Sequence, residues 1–136
     1  MTTGSNLRTY ILNSTAVTGL VGTQVYQNNV PVGVDTPFIW FRRRGVEYLE
    51  ILGETETVPY REFYDLEAVA ETLNEADSIA DAARTRLHGA SGTLGSTDAV
   101  YQWVGVQDQA DDYVPRNMQA DELLQIVSLD IEIINQ

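Results

Sequence analysis

The sequence predicts an α+β fold: a largely antiparallel sheet of about five strands, helices on one face, and an extended arm or hairpin. Three stretches carry that reading. Tyr60, Tyr64, Leu66 and Ala68 fall on one side of an extended chain, and Arg61, Phe63, Asp65, Glu67 and Val69 on the other. That period of two is a strand with one drier face. Directly after it, Thr72-Leu73-Asn74-Glu75 is a helix start in which Thr72 can cap backbone donors and Glu75 can reach back. Ala76, Ala80, Ala83 and Leu87 then form one helical stripe with Ile79 beside it, and Gly89 supplies the stop. The small side chains of the stripe predict a helix lying close against a sheet. Near the C-terminus, Val127, Leu129, Ile131 and Ile133 alternate with Ser128, Asp130 and Glu132, the most regular strand pattern in the chain.

The other elements follow in order. Met1–Gly4 reads as a loose terminus. Ser5 or Asn6 can cap a short helix carrying Leu7, Tyr10 and Ile11, and Asn13-Ser14-Thr15 offers a second cap for Ala16–Leu20, closed by Gly22. Val25-Tyr26 is a brief extended piece before a loop through Asn28, Asn29, Pro31 and Gly33. Thr36-Pro37 opens a strand with Phe38 and Trp40 on one face and Ile39 and Phe41 on the other, which predicts a central position. It runs into Arg42-Arg43-Arg44, where Arg43 continues the side of Ile39 and Phe41. Gly45–Val58 interleaves Val46, Tyr48, Leu49, Ile51 and Leu52 with glutamates, too long for a tight turn and too apolar for a solvated linker. It is expected to be an arm or hairpin, either packed on a neighbouring subunit or folded back on its own sheet. Gly89–Ser96 reads as a flexible connection, Val100–Val106 as a strand, and Gln107–Gln119 as an acidic loop.

Composition narrows the function. A chain of 136 residues fits one domain over residues 1–136, with roughly two thirds of its unfolded surface buried. Cysteine is absent, which excludes disulfides, zinc knuckles and thiol catalysis. No charged n-region precedes an apolar run, and no stretch approaches a membrane span in length. The formal net charge is -12, and all of the basic residues are arginine. That balance repels nucleic-acid phosphates, so Arg42–Arg44 are expected to pair with carboxylates, their own or a neighbouring subunit's, in preference to DNA.

Motifs of catalysis are missing. The glycine-rich Gly89–Ser96 lacks the Gly-Lys-Ser/Thr ending of a phosphate loop and follows a helix where such a loop follows a strand. The acidic segment lacks the glycine and terminal glutamate of an EF-hand. His88, the only histidine, falls in the last turn of the central helix, where a cation suits the dipole. No catalytic, cofactor or metal residue is assigned, and no enzyme activity is expected.

The chain resembles the tail-completion (tail-terminator, neck) proteins of long-tailed phages and related archaeal viruses, from Leu7 to the last strand. The resemblance rests on Thr15-Ala16-Val17-Thr18-Gly19-Leu20-Val21-Gly22, Val25-Tyr26, and the Pro31–Pro37 loop leading into a strand. It continues in Asp65-Leu66-Glu67-Ala68-Val69-Ala70-Glu71-Thr72, Glu75-Ala76, Ile79-Ala80-Asp81-Ala82, Arg86-Leu87-His88-Gly89 and Gly92-Thr93-Leu94-Gly95. Departures are the residue near Ala83, usually valine in the family, and the acidic Asp108–Met118 segment. The resemblance implies a ring, typically hexameric, in the virion tail or neck, assembled in the host cytoplasm. Such a ring caps the tail tube protein and joins it to a head connector or stopper, with DNA passing through unheld. Arg42, Arg43, Arg44, Val46, Tyr48, Leu49, Ile51 and Leu52 are the expected subunit or partner interface. Acidity without lysine also suits molar salt, where the Debye length is ~3 Å, and with the resemblance suggests a virus of a halophilic archaeon. Rival readings are another neck or connector-joining protein, a small-ligand or cation-binding acidic module, and an enzyme of unrecognised type.

Overall fold

The computed structural model describes residues 3–48, 60–94, 101–115 and 123–135. Helices α1 (Thr3–Leu12) and α2 (Thr15–Val21) lead into the short strand β1 (Val25–Gln27) and the long strands β2 (Phe38–Tyr48) and β3 (Tyr60–Ala70). Helix α3 (Leu73–Leu87) and strands β4 (Tyr101–Pro115) and β5 (Leu123–Asn135) complete the chain. The sheet order is β1-β2-β3-β5-β4, antiparallel except for the parallel β1–β2 pair. The α+β class with a largely antiparallel sheet of five strands is the one the sequence predicts.

Local chemistry starts α2 and α3, whereas Ser5 and Asn6, expected to cap the first helix, lie inside α1, which already begins at Thr3. Ser14 Oγ accepts from Val17 N–H at 3.4 Å to cap α2, and Thr72 Oγ1 accepts from Glu75 N–H at 3.2 Å to cap α3. Gly22 (φ +61) and Gly89 (φ +81) take left-handed conformations after α2 and α3, as helix stops require. Met1–Gly4 is not a loose terminus as far as it is described: α1 begins at Thr3, Gly4 is buried, and Thr3 Oγ1 donates to Glu62 Oε1 at 2.8 Å.

One sheet face takes the helices. Leu7 and Ile11 of α1, Val17 of α2, and Ala76, Ile79, Ala80, Ala83 and Leu87 of α3 pack with Phe41, Leu66, Ala68, Val127, Leu129, Ile131 and Ile133 in a continuous apolar core. Leu66 stands opposite Leu129 and Tyr64 opposite Ile131, so the two strand patterns read from sequence meet in register on this face. Ala76, Ala80 and Ala83 of α3 are fully buried, and their small side chains let the helix approach the strands.

The other face carries no described helix. There β2 is interior to the sheet, as expected, yet Phe38 and Trp40 are only half-buried while Ile39 and Phe41 are buried. The expectation of two covered faces is corrected: apolar residues on both sides of β2 mark one core face and one open aromatic face.

The acidic segment after Val106 is a strand. β4 continues through Pro115 with Gln109 opposite Leu129 and Asp111 opposite Val127. Acidic side chains suit that position because β4 is an edge strand, with residues 107–112 exposed, and charge on an edge discourages unwanted pairing. Register shifts at Tyr101/Trp103 and Val106/Asp108 also break the simple alternation read over Val100–Val106. Tyr101 and Val104 are both buried as a result. The start of Gly89–Ser96 is docked. Gly89 N–H donates to Val104 O at 2.7 Å, Val104 N–H donates to Ala90 O at 2.9 Å, and Gly92 and Tyr101 exchange both backbone bonds.

Candidate functional site

The basic triplet occupies the middle of β2 beside its bulge, where the register with β3 shifts between Arg43 and Gly45. Arg42 stands opposite Asp65 and Arg43 opposite Tyr64. Arg44 projects over the open face. Its Nη1 lies 3.2 Å from Asp65 Oδ1 and 3.4 Å from Asp130 Oδ1, and its guanidinium carbon sits 5.6 Å from the Phe63 ring centre. Of the two pairings open to the triplet, Arg44 makes the internal one.

Asp65 and Asp130 are direct cross-strand partners, an unfavourable juxtaposition of like charge unless a cation bridges it. Burial, with the hydrogen bond and charge of Asp65, holds the Asp130 carboxyl above its ordinary pKa although Arg44 opposes the shift. Burial also raises Glu67, with Asp65 and Asp112 adding to it and Trp40 and Arg42 opposing it. Trp40, Arg42, Asp65, Glu67, Ser128 and Asp130 line a shallow depression of about 420 Å³.

Arg43 points to the helix side, toward a second cavity. Thr3, Gly4, Gln27, Asn28, Arg43, Tyr60, Glu62 and Tyr64 surround about 570 Å³. Glu62 is only 3% exposed. It accepts from Thr3 Oγ1 at 2.8 Å and from Tyr64 OH at 2.8 Å, with Arg43 Nη1 at 4.0 Å. Burial first, then the bond to Glu62, push the Tyr64 phenol far above its ordinary range. Asn6 Nδ2 donates to Tyr101 OH at 2.7 Å, and Tyr101 OH donates to Thr3 Oγ1 at 3.4 Å, so the network links α1, β3 and β4. The alternation in Tyr60–Val69 points to a dry face at position 62, but nothing local reveals a buried glutamate there. Its donors come from a tyrosine two residues away and a threonine on another element.

Of the expected interface residues, Arg42, Arg43, Arg44, Val46 and Tyr48 all lie on β2, so the arm begins as the end of a strand. Val46 pairs with Glu62 and Tyr48 with Tyr60. Tyr48 is 70% exposed, with its ring 5.8 Å from that of Tyr60. Leu49, Ile51 and Leu52 lie outside the described residues. β2 and β3 therefore form a long hairpin whose connecting residues 49–59 are likewise outside them.

His88 ends α3, its backbone N–H bonded to Arg84 O at 2.8 Å. Its side chain turns to the sheet, where Nδ1 accepts from Val106 N–H at 3.1 Å at the β4 edge. The ring also lies edge-on to Trp103 at 6.1 Å. Among the described residues, no three His, Asp or Glu side chains are grouped to hold a metal ion, and no helix is long and apolar enough to cross a membrane.

The chain matches the family of tail completion protein gp17 over residues 5–127. No curated protein sequence matches it. Among solved structures, a chain from the "Virion of native gene transfer agent (GTA) particle" superposes with a TM-score of 0.70. The identity is 12%, with 98% of this chain and 95% of that chain covered. At that identity the likeness is one of fold. The family match spans the helices, the β2–β3 hairpin and most of the sheet, and the chain belongs to the tail completion protein gp17 family, a family of virion tail proteins.

Proposed function

We propose that this tail protein works as a ring, hexameric in the form its family resemblance implies, that caps the tail tube and joins it to the head connector or stopper while DNA passes through. The observation that carries the reading is the build of the sheet. Helices cover one face, while the other presents half-buried aromatics, an arginine and carboxylates in a band suited to a protein partner. The net charge of -12 supports passage in place of binding, since a lumen of like charge repels phosphate. Arg42, Arg43, Arg44, Val46 and Tyr48, continued by Leu49, Ile51 and Leu52, form the subunit contact in this reading.

Light scattering of the purified protein, from dilute to concentrated and from low to molar salt, tests the ring. A particle near six monomer masses with a central opening in electron micrographs is the expected result. A protein that remains monomeric throughout, and also alone when mixed with its tail tube protein, overturns the terminator reading. A ring that binds a connector but never tail tube identifies a different neck component.

A further inference from the structure

The two outer strands of the sheet leave complementary stretches uncovered. β1 shields β2 only through Ile39–Phe41; the last bond on that side is Asn28 N–H to Phe41 O at 2.8 Å. Beyond it, Arg42–Tyr48 has no strand on that side among the described residues. At the opposite edge, His88–Gly92 shields β4 only over Tyr101–Val106. Beyond Val106, β4 has no described strand on its outer side. The first stretch carries exposed Arg42 and Arg43, and the second carries exposed Asp108 and Asp111.

Exposed strand edges of this length are templates for another strand. From β2 through β3 and β5 to β4 each pairing is antiparallel, so β4 runs opposite to β2. A second copy in the same orientation, continuing the sheet, therefore brings its β4 antiparallel to the first copy's β2. We infer that rings of this protein close by pairing the acidic outer stretch of β4 on one copy with the basic outer stretch of β2 on the next. The inference rests on the ring reading above and names the joint that reading requires.

Register supports closure. Arg42, Asp65, Asp130 and Asp108 lie in one row across the sheet, so the uncovered stretches extend from opposite sides of that row. Adjacent copies must slip along the strands by about six residues for them to meet, ~20 Å at strand rise. Over the ~19 Å width of β2, β3, β5 and β4 the slip equals a strand tilt of roughly 45°, at the upper end of what closed barrels adopt. Such a contact joins different surfaces of each copy, the heterologous kind that generates rings when the rotation closes. The slip places Asp111 opposite Val46 and diagonal to Arg43, all on the helix side of their strands, a separation an arginine side chain spans. Arginine geometry suits that charge-assisted pair. β1, ending beside Phe41, sets how far the incoming strand can extend.

The chain has no cysteine, which makes cross-linking clean. Glu47→Cys is combined in turn with Gln109→Cys, Ala110→Cys and Asp111→Cys, and particles of ring mass are oxidised with copper phenanthroline in air. At least one pair is expected to give a reducible ladder of covalent multimers ending at the ring, while the single variants give none. Particles of ring mass without a ladder from any pair overturn the edge joint and leave the ring standing; a wild-type protein that never leaves the monomer overturns both. In a charge test, Asp111→Arg is expected to raise the assembly midpoint about tenfold and Arg43→Glu on the same chain to restore it. Wild-type assembly of both single reversals overturns the assignment of that pair.

Discussion

Replacing Arg44 with glutamine would leave Asp65 and Asp130 facing each other across the β3–β5 ladder without their shared cation. In the wild type both bonds reach the same guanidinium nitrogen, at 3.2 and 3.4 Å. The groups involved are a third to a half exposed, so each pair is worth ~0.2–1 kcal/mol, not the value of a buried bridge. Two such pairs, with a like-charge contact released by their loss, add to about 1–2 kcal/mol at pH 7. For a domain of this size that lowers Tm by roughly 4–8 °C. The sign with pH follows from Asp130. Its carboxyl is raised above its ordinary pKa, so the folded state binds the proton more tightly than the unfolded one. Stability from this group is therefore fully present below the unfolded pKa, near 4, and is lost as pH rises through the folded value. Removing Arg44 takes away the one charge that opposes the shift, so the variant's deficit is expected at neutral pH and should shrink toward pH 4. Calorimetry from pH 4 to 7, at a concentration where both proteins are monomeric, measures it. Asp130→Asn in the Arg44→Gln background should recover most of the loss in a double-mutant cycle. An equal loss at pH 4 and pH 7 without that recovery would refute the bridging role and leave the Phe63 contact as the source.

Further expectations concern packing and salt. Gly105→Ala should cost about 1–3 kcal/mol, because a Cβ there meets the Trp103 ring. Gly4→Ala should stay within about 1 kcal/mol of wild type, since its Cβ meets only the mobile end of Gln27 and alanine favours a helix; urea unfolding compares the two. Ile79→Ala, at a fully buried position in the core, should cost ~2–5 kcal/mol in the same assay. If the acidity is an adaptation to salt, Tm should climb steadily from 0.1 M to 2 M sodium chloride as carboxylate repulsion is screened; a flat profile removes that explanation.

Much of the local architecture was legible because it depends on neighbours in sequence. Ser14 and Thr72 cap the backbone three residues ahead, and the stripe from Ala76 to Leu87 follows from helical spacing. The alternations in Tyr60–Val69 and Val127–Ile133 assigned the correct face to each side chain they covered. The same periodicity placed Arg43 apart from Arg42 and Arg44. Family membership was legible too, from the order of many weak local signals along the chain. Tertiary structure alone decided the rest. Asp108–Pro115 reads as a solvated loop until β5 supplies its hydrogen-bond partners, because burial sets the periodicity of a strand and an exposed edge has little. Bulges beside Arg44 and within β4 change which residues share a face without leaving a local sequence mark. Glu62 is buried with Thr3 and Tyr64 donating to it, and one of those donors lies far away in the chain. The strand order β1-β2-β3-β5-β4 set the basic and acidic stretches on opposite edges. Periodicity reports which way a side chain points, whereas the identity of its neighbour is a property of long-range pairing.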